Sequence, residues 1–444
     1  MSAAGRQMHL GVFVLGTGNH IAGWRQPGAF TTHMELSSMQ QIARIAERGK
    51  FDLVFISDSM VMDPTDHPSF LCRFEPTSLI TIMSACTTHV GLGATVSTSF
   101  TEPFNVARIF SSIDHISRGR AAWNVVTSSN ARVAMNFNLE EQLEHEFRYE
   151  RANEFVDVVR GLWDGWDDGA IIADKATGQY IDASKVRPLN HKGRFFQVRG
   201  PLNMARCPQG HPVIIQAGGS PSGLELAART ADVVFSVVQE LEPAKAAYAN
   251  LKGRMAKYGR DPATLSVLPG VMPIIGRSDA EARETLAKLQ SWVNTSNAAT
   301  LVASRIGYDV SGHPLDAPPP PPPVSQGGRT FHSVLYEMAK RENMTLRDLY
   351  NLTAAARGHW VICGTPQRIA DTLEEWFTAG AADGYNILPA WFPGAFDDFV
   401  DLVVPELQRR GLFRNDYEGP TLRDHLGLAR VPAPAAPREA VGAE

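Results

Sequence analysis

The strongest constraint on the fold is a regular alternation of short apolar runs with longer amphipathic segments. Residues 8–15 form the first apolar run, residues 34–49 follow with apolar side chains at helical spacing and a closing glycine, and residues 51–57 form the next run. Parallel strands joined by crossover helices produce this alternation. The pattern therefore predicts an α/β fold with a parallel sheet.

Eight strand candidates can be counted along the chain, most of them followed by an amphipathic segment. They are residues 8–15, 51–57, 89–97, 119–127, 211–218, 231–236, 265–276 and 383–390. Eight parallel strands separated by helices close into a TIM (β/α)8 barrel, which often carries insertions. We therefore predict one barrel domain over residues 1–428.

Two stretches interrupt the alternation. Residues 165–205 are rich in Gly and Asp and are expected to form an insertion with a short hairpin. Between residues 295 and 357 the pattern is lost, and six prolines at 318–323 favour polyproline II and forbid helix. A long insertion of this kind fits either a lid over a site or an inert surface loop. The Pro- and Ala-rich tail, residues 429–444, is expected to be disordered.

Composition narrows the class of protein. The formal net charge is -5 and charges of both signs are interspersed, so no basic stripe for nucleic acid is present. The four cysteines form no CxxC pair, and no HExxH motif or close His/Asp/Glu triplet occurs, so we expect no metal site. No apolar stretch approaches the roughly 18 residues of a membrane span. A cytoplasmic enzyme without membrane or nucleic-acid partners is expected.

Polar residues occur where strand candidates end. Asp58 follows the second run, Thr95 and Asn124 lie near the ends of the third and fourth, and Gly219 and Ser220 follow the fifth. Working residues of barrel enzymes lie at the carboxyl ends of strands, so we expect a site here. Asp58 fits an N-cap role equally well.

The segment at residues 217–223, AGGSPSG, precedes a predicted helix. Its backbone N–H groups and the Ser220 hydroxyl could hold a phosphate at the positive end of that helix. An ordinary N-capped turn has the same composition, so both readings stay open.

A further candidate is the face formed by His145, Arg148 and Tyr149. These residues stand at positions i, i+3 and i+4 of a predicted helix and share one side of it. Such a face can hold an anion or can simply be solvated. The histidines His115 and His359, in contrast, are expected to be structural or exposed.

Several ordered segments together resemble a known family, the bacterial luciferase-like flavin monooxygenases. Within it, the chain resembles the branch of nitrilotriacetate, EDTA, dibenzothiophene-sulfone and long-chain alkane monooxygenases. The matching segments span roughly residues 8–410 and include HLGVFVLGTGNHIAGWR, FDLVFISDS, HEFRYERANEFV, QAGGSPSGLELAARTADVVF and GTPQRIADTLEEWFTAGAADGYNI.

The resemblance implies a site for reduced FMN. It implies that Asp58 lies near the isoalloxazine, that Thr95 and Asn124 line the flavin pocket, and that the phosphate and ribityl end is held by His145, Tyr149, Ser220 and the adjacent Gly219. It leaves the substrate open, because Phe13, His20, Trp24 and Trp391 could face an apolar sulfur compound or a chelate equally well.

The chemistry that the resemblance implies is a two-component monooxygenation. A separate NAD(P)H:flavin reductase would supply reduced FMN, which reacts with O2 to a C4a-hydroperoxyflavin that transfers one oxygen atom to a small organic substrate. The absence of a GxGxxG motif after a strand fits a separate reductase. A homodimer or homotetramer is implied as well. The alternatives are a deazaflavin-dependent dehydrogenase and a non-catalytic flavin-binding protein.

Overall fold

The structure is a computed structural model of the 444-residue chain. It describes residues 5–62, 68–293, 302–303, 306, 308–310, 312–321 and 330–434, with the side chains of 330–335 left out. No helix in these described stretches is long and apolar enough to cross a membrane.

Eight parallel strands close into a ring, as predicted. The strands of the described residues, numbered in chain order, are β1 (His9–Val14), β2 (Leu53–Ile56), β3 (Gly91–Ser97), β4 (Ala121–Val126), β5 (His191–Lys192), β6 (Gln197–Val198), β7 (Val213–Gln216), β8 (Val233–Ser236), β9 (Ser266–Ile275), β10 (Trp360–Gly364) and β11 (Gly384–Ile387). The ring order is β1–β2–β3–β4–β7–β8–β9–β11, and β11 pairs back onto β1. The TIM-barrel prediction is confirmed.

Helices connect the strands around the outside of the ring. In chain order they are α1 (Leu36–Arg48), α2 (Pro76–Ser84), α3 (Pro103–Ser117), α4 (Ala131–Ala134), α5 (His145–Trp163), α6 (Pro221–Thr230), α7 (Leu241–Arg254), α8 (Asp279–Ser291), α9 (Thr330–Arg341), α10 (Leu346–Ala356), α11 (Pro366–Thr378), α12 (Gly394–Asp398), α13 (Val404–Arg409) and α14 (Leu422–His425). A polar cap followed by proline starts several of them. Thr365, for example, accepts a hydrogen bond from the Arg368 amide and fixes the start of α11, as its sequence predicts.

Side chains of successive strand residues alternate between two apolar cores. Phe13, Leu53 and Phe55 belong to a cluster that joins strands across the inside of the ring. Their neighbours Val12 and Val54 belong to a second cluster that packs the outer face of the strands against helices. This two-residue period is what a closed sheet with both faces buried requires.

The insertions contain more regular structure than expected in one place. Between α5 and β7, β5 and β6 pair antiparallel as the expected hairpin. The segment 295–357, in which the alternation of strands and helices is lost, contains the helices α9 and α10. Thr345 and Asp348 form a capping box at the start of α10. Residues 318–321 of the proline run form neither helix nor strand, and residues 322 and 323 lie outside the described residues.

A further strand was not predicted. The strand β10 pairs in parallel with Val271–Ile275, the second half of β9, beyond the part of β9 that closes the ring. The tail makes contacts at its beginning, because the Arg206 guanidinium donates to the carbonyls of Val431 and Pro432 at 2.9 and 2.7 Å. The expectation of disorder for residues 435–444 lies outside the described residues.

Candidate active site

A cavity of about 450 Å³ opens at the carboxyl ends of the barrel strands. Four of the predicted site residues, Asp58, Thr95, Asn124 and Tyr149, lie on its wall. Strand ends separated by tens of residues in the chain meet here because parallel strands end at the same rim of the barrel. The position of the cavity therefore agrees with the rule from which the residues were predicted.

Thr95 and Asn124 form a buried pair on the neighbouring strands β3 and β4. Their backbones are direct partners in the sheet register. The Asn124 Nδ2 donates to Thr95 Oγ1 at 2.9 Å, and that hydroxyl donates to the Ile56 carbonyl on β2 at 2.9 Å. The hydrogen bond to Thr95 fixes the orientation of the Asn124 amide. The Asn124 Oδ1 can therefore accept a hydrogen bond from another donor.

Two buried amide oxygens in the cavity wall lack a hydrogen-bond partner among the described residues. One is Asn124 Oδ1 and the other is Asn386 Oδ1 on β11, and each residue is only 3% exposed. Buried carbonyl groups without a partner are rare, because each forfeits its hydrogen bond to water. Both oxygens are therefore candidates to accept from a ligand in the cavity. Asn386 was missed at the sequence level.

Asp58 lies at the edge of the cavity beside Arg73. The Asp58 carboxylate accepts from the Ser59 amide at 2.8 Å and lies 3.7 Å from Arg73 Nη2. Burial raises the pKa of Asp58, and this effect outweighs the opposing influence of the Arg73 guanidinium and the Ser59 amide. The group is therefore a carboxyl that takes up a proton more readily than one in water.

The start of α6 meets α5 at the rim of the cavity. Ser220 caps α6 by accepting from the Gly223 amide at 3.1 Å. A methyl carbon placed on Gly218 would lie 3.1 Å from the Tyr149 hydroxyl, so glycine permits this close approach. No described atom lies within 4 Å of the corresponding position on Gly219, which is exposed.

His145 lies on the same rim but outside the cavity wall. It is exposed, its ring is 4.8 Å from that of Tyr149, and its Nδ1 is 3.0 Å from Glu146 Oε1. Glu146 in turn accepts from the Ser222 hydroxyl at 2.9 Å, which ties α5 to α6. The predicted residues His145, Gly219 and Ser220 thus cluster around Tyr149 at one end of the cavity.

Arg148 does not join His145 and Tyr149 in a group that could bind an anion. It is 7% exposed, and its guanidinium donates to the carbonyls of Leu143, Thr127 and Ser128. The interpretation of Arg148 as part of an anion grip is therefore corrected. The residue fixes the chain that leaves β4, and thereby the rim next to Asn124.

Other wall residues were assigned differently at the sequence level or not at all. His359, expected to be structural or exposed, lies on the cavity wall with its Nδ1 packed against Gly270. Phe13, Phe55 and Phe235 form an aromatic row across the wall, with centroid separations of 5.1 and 4.6 Å.

The remaining substrate-side candidates lie elsewhere. Of the four aromatic or histidine residues considered, Phe13 lines the cavity. His20 is fully buried and its Nδ1 accepts from the Ala22 amide, whereas Trp24 is 40% exposed. Trp391 packs partly buried against the inner core. No group of three or more His, Cys, Asp or Glu side chains that could hold a metal ion occurs among the described residues.

Comparison with known proteins decides the family. The model of the luciferase-like monooxygenase family matches residues 8–383. The chain belongs to the luciferase-like monooxygenase family.

Similar members of the family cover nearly the whole chain. The N-acetyl-S-(2-succino)cysteine monooxygenase of Bacillus subtilis (strain 168) is 46% identical over 434 residues, which cover 97% of this chain and 98% of the relative. Nitrilotriacetate monooxygenase component A of Aminobacter aminovorans is 45% identical over 442 residues, 96% and 98% of the two chains. The structure of EDTA monooxygenase from Chelativorans sp. BNC1 superposes with a TM-score of 0.83 at 31% identity, covering 96% of this chain and all of that one.

The family relationship confirms the resemblance inferred from the sequence segments. It makes this chain an oxidoreductase of the luciferase-like monooxygenase family, with the barrel fold of its structural relatives.

Proposed function

We propose that this luciferase-like monooxygenase is the oxygenase component of a two-component system, which uses reduced FMN and O2 to oxygenate a small organic substrate. The observation that carries the proposal is the pair of buried amide oxygens, Asn124 Oδ1 and Asn386 Oδ1, that lack donors among the described residues. A flavin ring system carries N–H donors at its edge. A flavin in the cavity would supply the hydrogen bonds that these oxygens lack.

The rim around Tyr149 fits the other end of the same cofactor. The ten-residue helix α6 directs its first amides toward the turn at Gly218 and Gly219, and negative charge is favoured at this end of a helix. The open space at Gly219, the Ser220 hydroxyl and the exposed His145 ring fit a phosphate, and the Tyr149 hydroxyl fits the ribityl chain. The two ends of FMN thus have separate, chemically suitable partners.

Bound reduced FMN would supply the electrons that activate O2. The residues of this chain would orient the ring through Asn124 and Asn386 and exclude water through the aromatic row of Phe13, Phe55 and Phe235. Asp58, whose pKa burial raises, would hold or release a proton at the edge of the cavity.

The relatives support a separate reductase and a small substrate. One relative is named component A of nitrilotriacetate monooxygenase, which indicates that the relative works with a second component. We extend this arrangement to the present chain, with a flavin reductase as partner, a cytoplasmic location and a homodimer or homotetramer as the assembly. Ile82, Ile109 and Ile116 are exposed on α2 and α3 and would be available for such an assembly. Sedimentation velocity measures the oligomeric state.

The decisive experiment combines cofactor binding with oxygen labelling. Quenching of FMN fluorescence by the purified protein measures FMN binding. The variant Asn386→Leu removes an amide of the cavity wall. The matched variant Asn19→Leu removes a buried amide that already has hydrogen-bond partners in the protein. A flavin reductase, NADH and isotopically labelled O2 are then added with N-acetyl-S-(2-succino)cysteine, nitrilotriacetate or dibenzothiophene sulfone as candidate substrates. Mass spectrometry should find one labelled oxygen atom in a product.

Other results would contradict the proposal in distinct ways. Binding of a deazaflavin coenzyme without binding of FMN would indicate the dehydrogenase alternative. Binding of FMN with no labelled product from any candidate would favour the non-catalytic flavin-binding alternative.

A further inference from the structure

An exposed apolar face lies on the helices α2 and α3. Ile82 of α2 is 39% exposed, and Ile109 and Ile116 of α3 are 37% and 56% exposed. The outer helices α8 and α11, in contrast, expose charged side chains such as Glu284 and Asp371. Clustered apolar side chains on a protein surface mark contact sites. We call the surface formed by these three isoleucines the α2–α3 face, and it also includes Ser78, Asn105 and Ser112.

The face is contiguous, because a groove of about 910 Å³ runs between its two helices. Ser78 of α2 and Asn105, Ile109 and Ile116 of α3 line this groove. Ile82 stands four residues after Ser78, which places the two side chains next to each other on α2. The groove is therefore large enough, and apolar enough, to take side chains of another protein surface.

The spacing of the exposed residues on α3 favours packing against another helix. Asn105, Ile109, Ser112 and Ile116 follow one another at intervals of four, three and four residues. Apolar or small residues at this spacing form the seam along which two helices pack. The nine residues of α2 include no charged side chain, so its exposed side loses water at a lower cost than a charged helix would. Both helices are therefore suited to be covered by helices.

The charged residues of the groove have opposite signs. Glu102, directly before α3, and Arg108 are both exposed and both line the groove. Neither side chain forms a salt bridge or a hydrogen bond among the described residues. Arg151 lines the groove as well, and burial lowers its pKa, which the charges of Glu102 and Glu154 offset only in part. The groove thus offers an acidic and a basic group that a covering surface could pair.

A second copy of the same face supplies both partners. In a two-fold interface the same patch meets itself, so the patch must be self-complementary. The isoleucines can pack on isoleucines, and Glu102 of each copy can pair with Arg108 of the other. We propose that two copies of this chain form a two-fold dimer through the α2–α3 face. The inference rests on the homo-oligomer in the proposed function, but not on its cofactor.

Sedimentation velocity of the FMN-free protein tests the interface. The wild type should sediment as a dimer, or as a tetramer built from such dimers. Ile109→Lys and Ile116→Lys should each weaken self-association by about 100-fold or more and halve the mass of the assembly, because each places charges of one sign in the contact. Leu402→Lys is the matched control, since Leu402 is 47% exposed and lies outside the face, and it should keep the wild-type mass.

Exchange of charges shows whether the face pairs with itself. Arg108→Glu leaves only acidic groups at these two positions and Glu102→Arg leaves only basic ones, so each variant alone should dissociate. An equimolar mixture of the two variants should associate again, because every pair between the copies then joins opposite charges. Circular dichroism checks that each variant is folded.

The outcomes separate this interface from the proposed cofactor. A wild-type protein that stays monomeric at every concentration, a folded Ile116→Lys variant that keeps the wild-type mass, or a mixture of the charge variants that stays dissociated would each overturn the interface. A monomer that binds a flavin reductase through the same face would overturn it as well and assign the face to that partner. Failure of FMN to quench would count against the proposed function alone, because the masses are measured without FMN.

Discussion

Replacing Asn386 by leucine should move stability and cofactor affinity in opposite directions. Asn386 is 3% exposed, and its Oδ1 has no hydrogen-bond partner among the described residues. Leucine has a similar shape, and the absence of a side chain on Gly11, whose Cβ position lies 3.3 Å from that oxygen, leaves room for it. The variant removes a buried polar group that the ligand-free protein leaves unsatisfied.

The size of the effect follows from the cost of that group. An unsatisfied buried acceptor costs about 1–3 kcal/mol, so the ligand-free variant should gain about 2 kcal/mol. Unfolding entropy scales to about 0.9 kcal/mol/K for a chain of this length, and the thermal midpoint should therefore rise by about 2 °C. Loss of one neutral hydrogen bond to FMN should weaken its binding by about 3- to 10-fold.

Differential scanning fluorimetry of the ligand-free protein and FMN fluorescence quenching measure the two quantities. Asn19→Leu is the control, because Asn19 is also fully buried but its amide is satisfied by the carbonyls of Phe13 and Pro389 and by Arg357. That variant should lose stability and keep its FMN affinity. A lower midpoint for Asn386→Leu, or an unchanged FMN affinity, would refute the assignment of Asn386 to the flavin.

Three further changes test other parts of the molecule. Gly218→Ala should weaken FMN binding by about 10-fold in quenching titrations, because its methyl group would meet the Tyr149 hydroxyl at 3.1 Å, whereas Gly219→Ala has open space and should bind FMN normally. Burial lowers the pKa of His20 to about 3, so the unfolded chain binds a proton that the native state does not as pH falls below about 6.5. His20 alone should therefore contribute a loss of about 1.4 kcal/mol of stability per pH unit between about pH 6.5 and 4, and His20→Gln should reduce the measured slope by that amount in thermal scans, while His33 and His425, whose pKa values burial lowers to about 4, maintain the rest of the slope. Asp52→Ala should destabilise the fold by about 3–5 kcal/mol in chemical denaturation without changing FMN affinity, since Asp52 is fully buried at the opposite end of β2 and pairs with Arg414.

The barrel could be predicted because its signal is local. Each barrel strand is a short apolar run, and each is bounded by turn residues or helical periodicity that can be read within about fifteen residues. The helices α9 and α10 were missed because the proline run at 318–323 favours polyproline II in the middle of their segment, whereas β10, at Trp360–Gly364, lies beyond that segment and outside the ring. The capping pair Thr345 and Asp348 was a local signal that the helix α10 begins there.

The candidate site could be predicted only in part, for a different physical reason. Thr95 and Asn124 stand out as polar residues at the ends of their strands, so the rule for barrel sites finds them. Asn386 is a single polar residue inside an apolar run, and it joins the site only because β11 closes the ring onto β1. Asn386 reaches the site only when β11 pairs with β1, so its role cannot be predicted from the sequence of either strand alone.

The wall residues of the cavity come from different parts of the chain. The residues assigned to FMN belong to β3, β4, β11, α5 and the turn before α6, which are elements of the barrel itself. His359, which also lies on the cavity wall, follows α10 at the end of the insertion. The last turn of α10 packs into the core inside the ring through Ala355 and Ala356, and His359 packs against Gly270 on β9, so the end of the insertion is tied to the ring. Changes at His359 should therefore lower the thermal midpoint and alter ligand binding in the cavity together, and a variant there that changed binding while its thermal midpoint stayed the same would show that the end of the insertion is independent of the ring.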